Sequence, residues 1–168
     1  MSKSRIFIGI DNGLNGALVA LDGRSNVLSK FVMPTVGRAK GNEVDAAALR
    51  DLLLSIVVPA GKASIDVALE VPGKFSRGTQ ALTSMWDSFG VCRAVLSVMQ
   101  LRHHRLRPND WQRVMLPGCK KGDTKPAAKA RAGQLWPEER WLASDRCRVP
   151  HDGLIDAALI AEYIRMKH

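Results

Sequence analysis

Two short apolar runs in this chain, RIFIGID at residues 5–11 and SIDVALE at 64–70, each stop on an acid, Asp11 and Glu70. A carboxylate sits badly at the end of a buried strand unless it is paired or bound to a cation. Two strands of one small sheet that both end this way constrain fold and chemistry together. If the strands are neighbours, a single metal centre accounts for both acids.

The pattern around these runs supplies the rest of a sheet. Residues 5–10, 16–21 and 27–33 are β-rich and separated by Asp-Asn-Gly and Asp-Gly turn signals, which predicts an antiparallel meander. Val44, Ala47, Ala48, Leu52 and Ile56 recur at helical spacing and predict a helix over 44–57 with Asn42 as its N-cap. A buried strand follows at 65–71, then a long helix at 79–99 carrying Leu82, Met85, Trp86, Phe89, Val95 and Met99. The second half of that helix, VCRAVLSVM, is apolar on nearly every face. Two readings stay open: burial within one subunit, or burial against the sheet on one side and a second subunit on the other. A short strand at 105–107, a short helix at 108–115 and the exposed loop LPGCKKGDTKP come next. Helices over 125–135, capped by Asp123 or Thr124, and over 154–166 complete the chain. The order βββαβαβ followed by helices describes an α/β fold, a mixed sheet flanked by helices on both faces. The length, 168 residues, fits a single domain spanning 1–168.

Charge narrows the partners. The chain has 25 basic and 16 acidic residues, a net +9. Nine of the basic residues fall between Arg102 and Arg131, against two acids, Asp110 and Asp123. Such a tract suits a polyanion, because each neutralised phosphate releases condensed counterions; a solvated basic face is the alternative. No apolar run is long enough to span a membrane, and the opening MSKSRIFIGID leads straight into a strand without a signal-peptide pattern, so a cytoplasmic location is expected. Cys92, Cys119 and Cys147 are odd in number and scattered, which points to reduced thiols. Zinc on Cys119, Cys147 and His151 lacks the paired spacing of known sites.

Two more acids join the strand-end pair. Asp152 and Asp156, in PHDGLIDAALIAEY, lie four apart and share a helix face. An all-oxygen set of four carboxylates suits Mg²⁺ or Mn²⁺, and two such ions activate water and stabilise the leaving oxygen in an in-line displacement at phosphorus. Simpler roles exist for single members: Asp11 in an Asx-turn before Gly13, and Asp152 as the N-cap of the last helix.

These segments resemble a known family. IGIDNGLNGALVALD is similar to the first motif of the RuvC-type Holliday-junction resolvases and their phage and organellar relatives. VALEVP resembles the strand that supplies their catalytic Glu, and PHDGLIDAALIAEY resembles their last helix. The resemblance implies an RNase H-like fold with a five-stranded mixed sheet, a homodimer, two divalent ions per site, and nicking of opposed strands of a four-way DNA junction. It places Asp11, Glu70 and Asp156 on catalytic, metal-binding positions. The bacterial members carry the partner of the last Asp three residues before it, where this chain has Gly153. Asp152 is the first candidate for that role and His151 the second. Within KKGDTKPAAKARA, Lys125 matches a lysine that neutralises the scissile phosphate. Lys74, Arg77, Arg105, Arg107, Lys120, Lys121 and Lys129 are the candidate DNA contacts. Some relatives use an aromatic residue after the Glu to open the junction; here Phe75 stands later, behind a proline, and reads better as a core or interface residue.

Three other functions compete. A nuclease of the same fold acting on flaps or RNA–DNA hybrids would share the acids. An actin-like phosphotransferase would share the IGIDNGLNG loop, but the chain has no room for a second lobe. A non-catalytic DNA-binding module would keep the basic surface, yet has no use for acids that repel phosphate.

Overall fold

A computed structural model of the chain describes residues 5–39, 41–73, 79–120 and 122–168. Three strands open it, β1 (Arg5–Asp11), β2 (Ala17–Asp22) and β3 (Val27–Val32), paired antiparallel as a meander. A small ribbon, β4 (Thr35–Arg38) with β5 (Gly41–Val44), leads into α1 (Ala46–Ala60). Next come β6 (Ser64–Glu70), α2 (Thr79–Val98) and β7 (His103–Leu106), with β6 parallel to both β1 and β7. Three helices finish the chain: α3 (Pro108–Met115), α4 (Thr124–Leu135) and α5 (Asp152–Arg165). The main sheet is ordered β3-β2-β1-β6-β7, so the two acid-ended strands are central neighbours.

Side-chain alternation divides the core into two layers. Ile6, Ile8 and Ile10 of β1, with Val67 and Leu69 of β6, pack against Leu49 and Leu53 of α1 and Phe89 and Leu96 of α2. Phe7 and Ala68 face the other way, toward α5 and the Trp111 and Ala132 side chains of α3 and α4. Each fully buried Ile or Leu in these layers contributes about 2 kcal/mol. Helices thus cover both faces of the sheet.

The helix α5 is buried nearly all round, by Leu154, Ile155, Leu159 and Ile160 among others, because it lies between the sheet and the outer helices. Its seat on β1 depends on Gly9. A Cβ at that position would stand 2.0 Å from the Ala157 carbonyl oxygen and 2.5 Å from the Ala161 nitrogen.

The structure corrects three local expectations. Thr35–Arg38 and Gly41–Val44 form the β4–β5 ribbon, and Val44 is a buried strand residue instead of the start of a helix. The cap of α1 is Asp45 and not Asn42: its carboxylate accepts from the backbone of Ala47 and Ala48, both at 3.0 Å. The cap of α5 is His151 and not Asp152. In α2, Phe89, Cys92 and Leu96 are buried in the chain's own core, while Trp86 is 45% and Val98 83% exposed.

Candidate active site

The register of β1 against β6 pairs Ile10 with Leu69, so the next residues, Asp11 and Glu70, end two adjacent parallel strands. Adjacent strands lie about 4.8 Å apart. Asp11 continues the Phe7, Gly9 face and Glu70 the Asp66, Ala68 face, so both acids point to the side on which α5 packs. Asp156, one turn into α5, meets them from above.

Each acid is held by specific partners. The Asp11 Oδ1 accepts from the Gly13 backbone at 3.3 Å, the expected Asx-turn, and this turn also aims the carboxylate. Burial pushes the Asp11 pKa up, opposed by the Gly13 N–H and the nearby His151. The Trp111 indole donates to Glu70 Oε1 at 2.7 Å, and the Asn12 side-chain amide donates to the Glu70 backbone oxygen. Burial first, and then the Asp11 charge, lift Glu70 to about 8; the Trp111 hydrogen bond works against that rise. Asp156 is raised to about 7 by burial and by the charges of Asp11 and Asp152.

Asp152 behaves differently. Its two oxygens are taken by Lys125 at 2.8 Å and Lys129 at 3.1 Å, and the Lys125 hydrogen bond holds its pKa below the usual carboxylate range. It stands at the rim, 35% exposed, while Asp11, Glu70 and Asp156 form the electrostatically coupled centre. Asp11, Asp152, Asp156, His151 and Lys125 line one open cleft.

His151 caps α5 by accepting the Leu154 N–H on Nδ1, at 3.2 Å. A neutral imidazole that accepts on Nδ1 carries its proton on Nε2. With Nδ1 engaged by the cap, Nε2 is the ring nitrogen left for the cleft that His151 lines. Gly153 also has a physical explanation. A Cβ there would lie 2.5 Å from the Asn15 carbonyl oxygen and 2.9 Å from the Gly16 Cα, so no side chain fits at that position.

The basic candidates divide. Lys125 and Lys129 are at the cleft. Arg105 on β7 and Arg107 before α3 border a hollow with Val71, Trp86 and Phe89. Lys120 lines a separate groove with Asn109, Arg113 and Thr124. Lys74, Phe75, Arg77 and Lys121 lie outside the described residues. Among the described residues, neither Cys119, Cys147 and His151 nor any three of Asp11, Glu70, Asp152 and Asp156 bring their ligand atoms within 4.8 Å of one another. The trio with ligand atoms all within 4.8 Å of one another is Asp66, His104 and His168, away from the acidic cleft.

Two residues of the site carried no sequence signal: Trp111, buried in α3 and bonded to Glu70, and Asn12, buried beneath the same strand end. Their types are common in ordinary cores and turns, and only the tertiary arrangement brings them to the acid.

No protein-family model and no curated protein matches the chain. Among solved structures it is similar to Thermus thermophilus RuvC in complex with a Holliday junction substrate, with a TM-score of 0.62 and 15% identity over 97% of this chain and 96% of that one. A second Thermus thermophilus RuvC structure gives 0.55 and 14% identity, with 96% of each chain covered. The likeness is one of architecture: this chain has the RNase H-like fold of RuvC, a mixed five-stranded sheet with helices on both faces.

Proposed function

We propose that the chain is a divalent-metal-dependent endonuclease that resolves four-way DNA junctions. The observation that carries this reading is that Asp11, Glu70 and Asp156, from three separate elements, are buried at one end of a RuvC-like sheet near enough to raise one another's pKa. Acids that burial first, and one another's charge second, hold protonated to about 8 and about 7 are in an arrangement that a bound cation relieves. The donor set is all carboxylate oxygen, which fits Mg²⁺ or Mn²⁺. Asp11, Glu70 and Asp156 would hold the ions, with Asp152 joining from the rim once its lysines turn to the substrate. When bound, such ions supply an activated water and charge stabilisation at the scissile phosphate.

The chain's own groups do the positioning. Trp111 fixes the Glu70 carboxylate, and the turn at Gly13 fixes Asp11. Lys125, 73% exposed and already at the cleft, neutralises charge on the reacting phosphate, and the His151 N–H donates beside it. Arg105, Arg107 and Lys120, together with Lys74, Arg77, Lys121 and Lys129, serve the arms of the junction. A homodimer presents two such sites to opposed strands; the exposed outer surface of α2, with Trp86 and Val98, supports it. Among the described residues no helix is long and apolar enough to cross a membrane, and a DNA-cutting role fits a cytoplasmic location. Membership of the phage and organellar branch rests on the sequence pattern alone.

The test is to incubate the protein with labelled four-way junction, duplex, flap and RNA–DNA hybrid, with Mg²⁺ or with chelator. Symmetric nicks in the junction that vanish with chelator are expected. Preference for flap or hybrid would move the substrate assignment, and no metal-dependent cutting of any of them would sink the nuclease reading.

A further inference from the structure

A second group of metal-capable side chains sits on the same face of the sheet as Glu70 but four residues earlier on β6, about 13 Å along the strand. Asp66 comes from β6, His104 from the neighbouring β7, and His168 from just past the last turn of α5. Their ligand atoms all lie within 4.8 Å of one another. Asp66 is 6% exposed, and among the described residues no hydrogen bond reaches its carboxylate. His104 Nε2 lies 3.9 Å from Asp66 Oδ1, beyond hydrogen-bond reach. That nitrogen is itself sealed from solvent and without a partner. The His168 ring completes the corner, stacked on Phe7 with centroids 6.1 Å apart and tilted against His104 at 5.9 Å.

A buried imidazole nitrogen without a partner is costly to leave so, and the Asp66 carboxylate faces it without bonding. Two imidazoles and one carboxylate form a donor set for a borderline transition-metal cation, and a poor one for Mg²⁺ or Ca²⁺. A tetrahedral ion with bonds near 2.1 Å sets its donors about 3.4 Å apart, so modest side-chain rotation closes the present spacing.

We propose that Asp66, His104 and His168 bind one Zn²⁺-class ion, with water in the fourth position. The site is independent of the nuclease cleft. It ties the far end of α5 to strands β6 and β7, and because it forms only in the folded chain, the ion stabilises that end of the molecule.

The experiment is a titration of the metal-free full chain with Co²⁺, read by its visible ligand-field absorption, followed by displacement with Zn²⁺. One saturating set of strong, tetrahedral-type bands is expected in the unmodified chain and equally in Asp11→Asn, because Co²⁺ in the all-oxygen cleft absorbs only weakly. His168→Ala, an exposed position that carries no fold risk, should weaken binding at least about tenfold, as loss of even an outer partner does. His104→Gln should do the same, with circular dichroism confirming that it is folded. No saturable spectrum would overturn the site. So would a spectrum that survives His168→Ala and His104→Gln but disappears in Asp11→Asn, since the ion would then be in the acidic cleft. The readout is independent of DNA cleavage, so this proposal and the nuclease reading stand or fall separately.

Discussion

Burial, and after it one another's charge, makes Asp11, Glu70 and Asp156 costly to ionise together, and this sets what single substitutions do. Asp11→Asn and Glu70→Gln should abolish cleavage while junction binding, read by gel shift, stays equal or tightens, because neither amide repels a phosphate. Loss of folding instead would assign the two residues to structure. Proton binding gives a second prediction. Glu70 and Asp156 titrate near 8 and 7 in the folded chain, above the carboxylate values near ~4 of an unfolded one. Between about pH 4 and pH 8 the folded state therefore binds more protons, and stability of the metal-free protein falls as pH rises through that window. Asp156→Asn should raise the melting temperature at pH 8 by an amount equivalent to roughly 2 kcal/mol, less at pH 5, and less again with Mg²⁺ present. Melting curves that ignore pH would remove the crowding argument. Trp111→Phe should cost about 1 kcal/mol and push Glu70 higher still, since the indole is the donor that favours its charge. Asp11, Glu70 and Asp156 were legible in the sequence because they interrupt apolar periodicity. Trp111 was not, because a tryptophan in an amphipathic helix looks the same whether or not its N–H meets a carboxylate.

Among the elements, α5 matters most. It carries Asp152 and Asp156 at its start and is packed directly on β1 through Gly9. Gly9→Ala should destabilise the chain by about 3 kcal/mol, because the methyl meets helix backbone that cannot step aside; a measured cost below about 1 kcal/mol would show that α5 can slide. Lys125→Ala frees one side of Asp152 and removes a cleft cation. It should slow cutting more than it weakens binding, and equal losses would make Lys125 an ordinary phosphate contact. Most of these elements could be read from periodicity, since strands buried on both faces and a long apolar helix leave strong patterns. The β4–β5 ribbon left none: six of its eight residues are exposed, and two strands of four residues have no room for alternation. The helix caps were misplaced for a related reason. Asn42, Asp45, His151 and Asp152 are all capable caps, and the choice among them is made by where the chain enters from its tertiary neighbours.

For the molecule as a whole, charge is spread unevenly along the chain, with nine basic residues between Arg102 and Arg131, of which Lys125 and Lys129 reach the acidic cleft. Junction affinity should fall steeply between low and physiological salt, in proportion to the phosphates engaged; a nearly flat dependence would leave the basic tract as a solvated face. The fold itself was accessible from the order of strands and helices, because parallel strands need crossover helices and few sheets accommodate βββαβαβ. What no pattern announced was the contact between the last helix and the first turn. Gly153 touches the backbone of Asn15 and Gly16 with no space between them. Moving an acid onto that residue, as the bacterial resolvases arrange theirs, is thus closed to this scaffold by steric exclusion. Anyone wishing to transplant the bacterial spacing would have to rebuild the 13–16 loop before touching the helix.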